Sequence, residues 1–404
     1  MDRIELVWRC KPTENAEKAV PKGFSPQEVA QAQAFHRSFE GYRETPLVQL
    51  KTAALEIGLK GLYVKDESQR FGLNAFKSLG ASYAMGKCIA QRLGVDISQL
   101  SYQQLVSPEI HEQLGDVTFV TATDGNHGRG VAWTANKLGQ KSVVYLPKGS
   151  SQERLENIRA QGADAFITEL SYDDAVRLAR DKAAANGWIL VQDTAWEGYE
   201  DIPLWIMQGY TTMVQEALGQ MKKQQLPTIT HVFLQAGVGS MAAAVTAFLA
   251  QQYGEDMPII TVVEPNKADC IFKTAQANDG ELHFITHSMD TIMAGLACGE
   301  PCTIGWNILK DYADNFISCP DFVAKNGMRF LAFPKGEDKK IISGESGGVT
   351  TGLVVQLMQD PSLSHIKKRL CLDDNSVVLC FNTEGDTEQT SYRKIVLDEI
   401  QITD

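Results

Sequence analysis

The sequence predicts an α/β protein of two lobes, each built on a mainly parallel sheet flanked by helices. Short apolar runs rich in β-branched residues alternate along the chain with amphipathic helical patterns, as in parallel strands joined by helices. The runs are continuous rather than alternating, which suits strands buried on both faces. A length of 404 residues also exceeds one ordinary core, so two lobes are the default expectation.

In chain order, GLYVKDES (61–68) reads as a strand and SLGASYAMGKCIAQRLG (78–94) as the helix after it. DVTFVTAT (116–123), KSVVYLP (141–147), DAFITEL (164–170) and WILVQDT (188–194) are further strands. Between them lie the helical stretches RGVAWTANKLG and SQERLENIRAQG. In the latter, Ser150 and Glu153 stand in capping-box register and predict a helix start there. The second half continues with HVFLQ (231–235), the helix MAAAVTAFLAQQY (241–253), IITVVE (259–264) and VVLCF (377–381).

A formal net charge of −12 argues against a nucleic-acid footprint, which needs a clustered basic face. No apolar run approaches the length of a bilayer span. The opening MDRIELVWRCKPTENAEKAV lacks an apolar run followed by a small-residue cleavage site, so a cytoplasmic protein is expected. Eight cysteines in such a chain read as reduced thiols, and Cys270 with Cys298 or Cys302 is the bridge worth testing. His283 and His287 ahead of Cys298 and Cys302 loosely imitate a zinc site. Neither half has the usual spacing, and no metal is expected.

In such sheets ligands gather at the carboxyl ends of strands. Four loops there carry chemistry. Asn74-Ala75-Phe76-Lys77-Ser78-Leu79-Gly80 places a lysine at a helix start, which by itself reads as a solvated surface lysine or as one whose pKa the dipole and desolvation would lower toward a reactive neutral amine. Thr121-Ala122-Thr123-Asp124-Gly125-Asn126-His127-Gly128-Arg129-Gly130 offers glycines that let backbone approach a ligand and amides that suit an anion. Asp124 is either an N-cap there or a functional acid. Gln235-Ala236-Gly237-Val238-Gly239-Ser240-Met241 fits a phosphate cradle. With Ala242 and Glu264 it fits a dinucleotide fingerprint equally well. The last is the pair Ser343-Gly344-Glu345-Ser346-Gly347-Gly348 and Asn382-Thr383-Glu384-Gly385-Asp386, which reads as turns or as a hydroxyl presented at a sheet edge.

Taken together, from about residue 42 to 386, these loops resemble the tryptophan-synthase-β-like (fold type II) family of pyridoxal-phosphate enzymes. Arg43-Glu44-Thr45-Pro46-Leu47, Val64-Lys65-Asp66-Glu67, Asn74-Ala75-Phe76-Lys77 and Asp124-Gly125-Asn126-His127-Gly128 stand in that family's order. Gln208-Gly209-Tyr210-Thr211, Gly237-Val238-Gly239-Ser240, Glu345-Ser346-Gly347 and Thr383-Glu384-Gly385 follow. The resemblance implies pyridoxal 5'-phosphate in a cleft between the lobes, with 1–79 and 195–404 as the large cofactor-binding domain and 80–194 as a small mobile one. It implies a small amino-acid substrate and a homodimer.

By position, Lys77 is similar to the Schiff-base lysine and catalytic base, and Asn126 to the asparagine on the cofactor's phenolic oxygen. Gly237, Val238, Gly239, Ser240 and Met241 resemble the phosphate cup, and Thr383 the hydroxyl facing the ring nitrogen. Such a hydroxyl leaves that nitrogen largely unprotonated and favours elimination over transamination. The resemblance also implies substrate contacts from Ser78, Thr123, Asp124, Gly125, His127, Asp193 and Glu345.

Two departures narrow the expectation: Asp124 stands where dehydratases and synthases of the family carry a hydroxyl, and the phosphate loop is not GGG-like. Asp124, Val191-Gln192-Asp193-Thr194-Ala195-Trp196-Glu197-Gly198-Tyr199 and Ala297-Cys298-Gly299-Glu300-Pro301 look like the group that eliminates ammonia from 2,3-diaminopropionate. Carboxylates at Asp124 and Asp193 would attract that substrate's second ammonium. The sequence leaves open a serine/threonine dehydratase, a β-replacement synthase, a nicotinamide-dependent oxidoreductase and an inactive amino-acid sensor.

Overall fold

In a computed structural model, the structure describes residues 3–8 and 20–398. Cys10 and part of the N-terminal stretch read for a leader lie outside them. Among the described residues the strands are β1 (Glu5–Trp8), β2 (Leu47–Gln49), β3 (Gly61–Asp66), β4 (Thr118–Ala122), β5 (Lys141–Leu146), β6 (Asp164–Ile167), β7 (Ile189–Leu190), β8 (His231–Gln235), β9 (Ile259–Pro265), β10 (Asn315–Cys319) and β11 (Val377–Asn382).

They form a seven-stranded sheet, ordered β1-β10-β9-β8-β11-β3-β2, and a four-stranded sheet, ordered β6-β5-β4-β7. The smaller is parallel throughout. The larger is parallel except at its edges, where β1 and β2 pair antiparallel. β3, β8, β10 and β11 are buried along their whole length, and β8 and β11 accordingly read as apolar runs. Strands β1, β2 and β10 escape the sequence pattern. Two are short edge strands, and β10, Asn-Phe-Ile-Ser-Cys, mixes polar with apolar residues.

The chain forms two compact units. One holds the described residues of Met1–Pro21, Glu44–Gln69 and Met213–Asp404, the other Lys22–Arg43 and Arg70–Thr212. These bounds differ from the expected breaks at 79/80 and 194/195. The second unit also takes in the helix Pro26–Arg37 and the first half of the helix Asp201–Lys223, because both pack on the helix Ser78–Leu93. A Cβ on Gly86 would meet the Phe35 ring at 2.6 Å, and one on Gly80 would meet Tyr210 at 2.5 Å and Ile206 at 2.6 Å.

Two local expectations are corrected. The helix expected to start on Ser150 is Gln152–Arg159, and its N-cap is Ser151, whose hydroxyl accepts from the Arg154 amide at 3.3 Å. Ser150 instead donates to the Pro147 carbonyl in the preceding turn. The strand expected over 188–194 stops at Leu190, for a reason that belongs to the site. Among the described residues no helix is long and apolar enough to cross a membrane.

Candidate active site

In the second unit, β4 and β7 are adjacent, yet the chain leaves β4 toward β5 and β6, on the opposite side from β7. The loops after β4 and β7 therefore diverge at a topological switch point, where α/β sheets bind ligands. They carry Asp124, Asn126, His127 and Asp193. After Leu190 the Val191 amide still bonds the Val120 carbonyl at 2.9 Å, and then a side chain replaces the backbone. Gln192 Oε1 accepts from the Ala122 amide at 3.1 Å, and its Nε2 donates to the Ala122 carbonyl at 3.1 Å. The ladder continues through that side chain, and the main chain is released to turn Asp193 inward. Gln192 had no assigned role in the sequence, although it stands inside the motif.

Lys77 is the N-cap residue of the helix Ser78–Leu93. Its Nζ donates to Asp193 Oδ2 at 2.5 Å and lies 5.4 Å and 5.8 Å from the ring centres of Phe76 and Tyr210. The expected lowering of its pKa is overturned. Burial does pull the amine down, but the Asp193 carboxylate, with Tyr210 and Asp124, outweighs burial and the value is raised. Burial raises the Asp193 carboxyl in turn, and His127 and Lys77 overcome it and hold Asp193 at about 2. The charged pair is the resting arrangement of this unit.

Glycines fix the position of Lys77. A Cβ on Gly130 would lie 3.0 Å from the Ser78 amide nitrogen and 3.1 Å from the Lys77 carbonyl carbon. One on Gly209 would run into the Leu79 carbonyl. Gly128 abuts the side chains of Thr123 and Val144. Of the glycines expected to admit a ligand, Gly130 lets protein backbone pack and Gly128 makes room for side chains. Tyr210, buried with its hydroxyl unpartnered, belongs to this site, and the Gln-Gly-Tyr-Thr motif was the signal for it.

Asp124 is not the cap of the helix Asn126–Lys137. Thr123 Oγ1 accepts from the amides of Gly125 (2.9 Å) and Gly128 (3.0 Å), while the N-cap residue, Gly125, makes no side-chain bond. The Asp124 carboxyl is raised by desolvation, against the pull of Arg154 and Lys77. His127 Nε2 lies 2.8 Å from the Val191 carbonyl, which only accepts, so that nitrogen carries the hydrogen. Desolvation lowers the ring's pKa, and Nδ1, unpartnered and buried, faces Asp193 Oδ2 at 3.8 Å. Ser78 Oγ is likewise buried and unpartnered.

In the first unit the switch point falls between β8 and β11. The loop after β8 enters the helix Ser240–Tyr253 through Gly239 at φ 95°, a left-handed value that favours glycine, and no side chain caps this N-terminus. Its opening amides suit a phosphate. Thr383, just past β11, accepts from Gln235 Nε2 at 2.9 Å. Glu345 opens the helix Glu345–Gln359, and its carboxylate accepts from Ser391 Oγ rather than facing outward. Glu264, the acid of a dinucleotide fingerprint, is buried and accepts from the amides of Ile271 (2.9 Å) and Phe272 (2.6 Å), so it is committed to the next helix. Cys270, Cys298 and Cys302 carry thiols rather than a bridge. Among the described residues no group of three or more His, Cys, Asp or Glu gathers that could hold a metal ion.

The second unit offers a primary amine at a helix start, and the first an uncapped glycine turn suited to a phosphate and a hydroxyl at the neighbouring strand end; each is a group that pyridoxal phosphate calls for. A model of the pyridoxal-phosphate dependent enzymes matches residues 39–369, and the chain belongs to that family. Its cofactor is pyridoxal 5'-phosphate.

Within the family the chain is 52% identical over 364 residues, 90% of each chain, to diaminopropionate ammonia-lyase of Salmonella typhimurium. It matches the holo form of Escherichia coli diaminopropionate ammonia-lyase with a TM-score of 0.91 at 45% identity, covering 98% of this chain and 97% of that one. It also matches the E. coli enzyme in complex with an aminoacrylate-PLP azomethine reaction intermediate, with a TM-score of 0.89 at 45% identity over 99% and 98% of the two chains.

Proposed function

We propose that this chain catalyses the pyridoxal-phosphate-dependent α,β-elimination of 2,3-diaminopropionate, in both D and L forms, as a carbon–nitrogen lyase. One substrate and one water give pyruvate and two ammonia. The cofactor supplies the electron sink that makes the α-proton removable and the Cβ amine expellable.

In this reading Lys77 holds the cofactor covalently through Nζ. The amides of Gly237, Val238, Gly239, Ser240 and Met241 take its phosphate, Asn126 its phenolic oxygen and Thr383 its ring nitrogen. One observation carries the choice of substrate: Asp193 already binds a primary alkylammonium, that of Lys77, at 2.5 Å. Once Lys77 is engaged elsewhere, Asp193 and the bare Nδ1 of His127 present two acceptors to the ammonium on Cβ. A hydroxyl in that place would gain no such attraction. Ser78 Oγ, and the hydroxyl hydrogen of Thr123 beside the Gly125 amide, are left to meet the substrate carboxylate. Glu345, whose carboxylate accepts from Ser391, is kept in this reading as a further substrate contact.

Lys77 takes the α-proton of the L form, and Asp124, whose raised pKa suits a base, takes that of the D form. Purified enzyme mixed with each isomer and with serine, followed by pyruvate release, tests this. Both isomers are expected to turn over, with serine slower by about 10²-fold or more in kcat/KM. Equal turnover of serine would favour a dehydratase. Asp124→Asn should cost the D form about 10²-fold and the L form less than tenfold, and equal losses would remove the two-base scheme. A homodimer is part of the same proposal, and light scattering of the holoenzyme checks it.

A further inference from the structure

The side chain of Gln235, at the end of β8, reaches beneath the first turn of the helix Glu345–Gln359 and the end of β11. Its Nε2 lies 2.9 Å from the Phe381 carbonyl, 3.1 Å from the Ser346 carbonyl and 2.9 Å from Thr383 Oγ1. Carbonyl oxygens only accept, so this end of the side chain is the NH2 group and the flipped amide is excluded. An amide nitrogen donates and does not accept, so Thr383 Oγ1 is the acceptor of this contact. One lone pair of the hydroxyl is thereby used, and its hydrogen points away from Gln235. Among the described residues that hydrogen has no acceptor. The two hydrogens of Nε2 are shared among the three acceptors, and Thr383 donates to neither carbonyl.

We propose that Gln235 is a positioning residue that sets the hydroxyl of Thr383 as a donor, so that Thr383 gives its hydrogen to the cofactor's ring nitrogen and keeps that nitrogen unprotonated. This rests on the reading that Thr383 faces the ring nitrogen. A protonated nitrogen would demand the second lone pair of Thr383 and leave the hydroxyl hydrogen without an acceptor. Without Gln235 the Thr383 hydroxyl is no longer held by a donor, and it can turn to accept from a protonated ring. Gln235 reaches the chemistry only through Thr383, and its effect is on which substituent chemistry the cofactor favours.

The test uses holoenzyme loaded with cofactor labelled with 15N at the ring nitrogen, titrated between pH 5 and 9 while the 15N resonance is recorded. In the parent enzyme the signal is expected at the unprotonated position throughout. In Gln235→Met it should move toward the protonated position, with its midpoint raised by about one pH unit or more. Gln235→Asn, which keeps an amide on a shorter arm, should shift it in the same direction and serves if the first variant does not fold. In a Thr383→Val background, Gln235→Met should add nothing, because its only route is absent. An unchanged titration in both Gln235 variants, or the same shift without Thr383, overturns the proposal. If Thr383→Val alone leaves the parent signal and its titration untouched, the placement of Thr383 falls and this inference with it. Borohydride reduction and peptide mapping to Lys77 separately tests whether the cofactor is held as proposed.

Discussion

The ion pair between Lys77 and Asp193 sets the chemistry of single residues here. Asp193 stands at about 2, below its ordinary 3.8, so its contribution to stability is complete above the ordinary value. It is lost as pH falls toward 2. Lys77 is raised, so its share is present below its ordinary 10.5 and is lost only as pH climbs through the raised value. With cofactor removed, the Tm difference between the parent protein and Asp193→Asn should therefore close between about pH 4 and pH 2. The same substitution leaves burial unopposed at Lys77. The pH midpoint for acylating Lys77 in the cofactor-free protein should fall by more than about one unit, and kcat/KM for diaminopropionate by about 10²-fold or more. An unmoved midpoint would mean that Asp193 does not govern the amine.

At the scale of elements, backbone-to-backbone packing at glycines holds the site in place. Gly130→Ala pushes a methyl against the Lys77 backbone, which cannot swing aside as a side-chain tip can. A loss of about 1–3 kcal/mol in urea unfolding is expected, with a fall in kcat larger than any change in cofactor affinity. In the other unit the helices Asp321–Ala332 and Glu345–Gln359 meet through Gly327, Gly348 and Gly352, each facing backbone of the opposite helix. Gly352→Ala would drive a methyl into the Val323 carbonyl. It should cost at least ~2 kcal/mol, read as a lower urea midpoint. Gln192→Leu keeps the bulk but ends the side-chain continuation of the ladder with Ala122. Asp193 loses its aim, and kcat should drop about tenfold or more while the fold survives.

At the scale of the whole molecule, a buried ion pair and the cofactor each bear on stability. Lys65 Nζ lies 2.7 Å from Glu216 Oε2, both side chains fully buried, and also donates to the Thr45 carbonyl at 2.7 Å. Lys65→Met alone leaves the Glu216 carboxylate buried without its cation and should cost about 3–5 kcal/mol, with Glu216→Gln added on top restoring part of it. A ligand that binds the folded chain alone raises its stability by mass action, so removing the cofactor should lower Tm, and adding it back in excess should restore it. Net charge and length bear on neither effect.

Much of this was legible in advance. The long buried strands, the helix after Lys77, the uncapped glycine turn at 237–241 and the aspartates at 124 and 193 were readable from residue type and spacing. The short strands β1 and β2 were not, because an edge strand of three or four residues leaves almost no periodicity. Gln192 and Gln235 were missed for another reason. Glutamine carries no chemical signature, and each acts by where a neighbouring strand places its amide.

The sequence by itself determined which groups are available: one amine at a helix start, two carboxylates after strands, an anion-binding turn and a hydroxyl at a strand end. Local propensity and motif order are properties of neighbouring residues, so they survive without a fold. Tertiary structure alone decided their state. Lys77 is charged because Asp193, 116 positions away, meets it at 2.5 Å, and Thr383 is an acceptor of Gln235 from 148 positions away. Electrostatics and hydrogen bonding act through distance in space, and only the folded chain sets that distance.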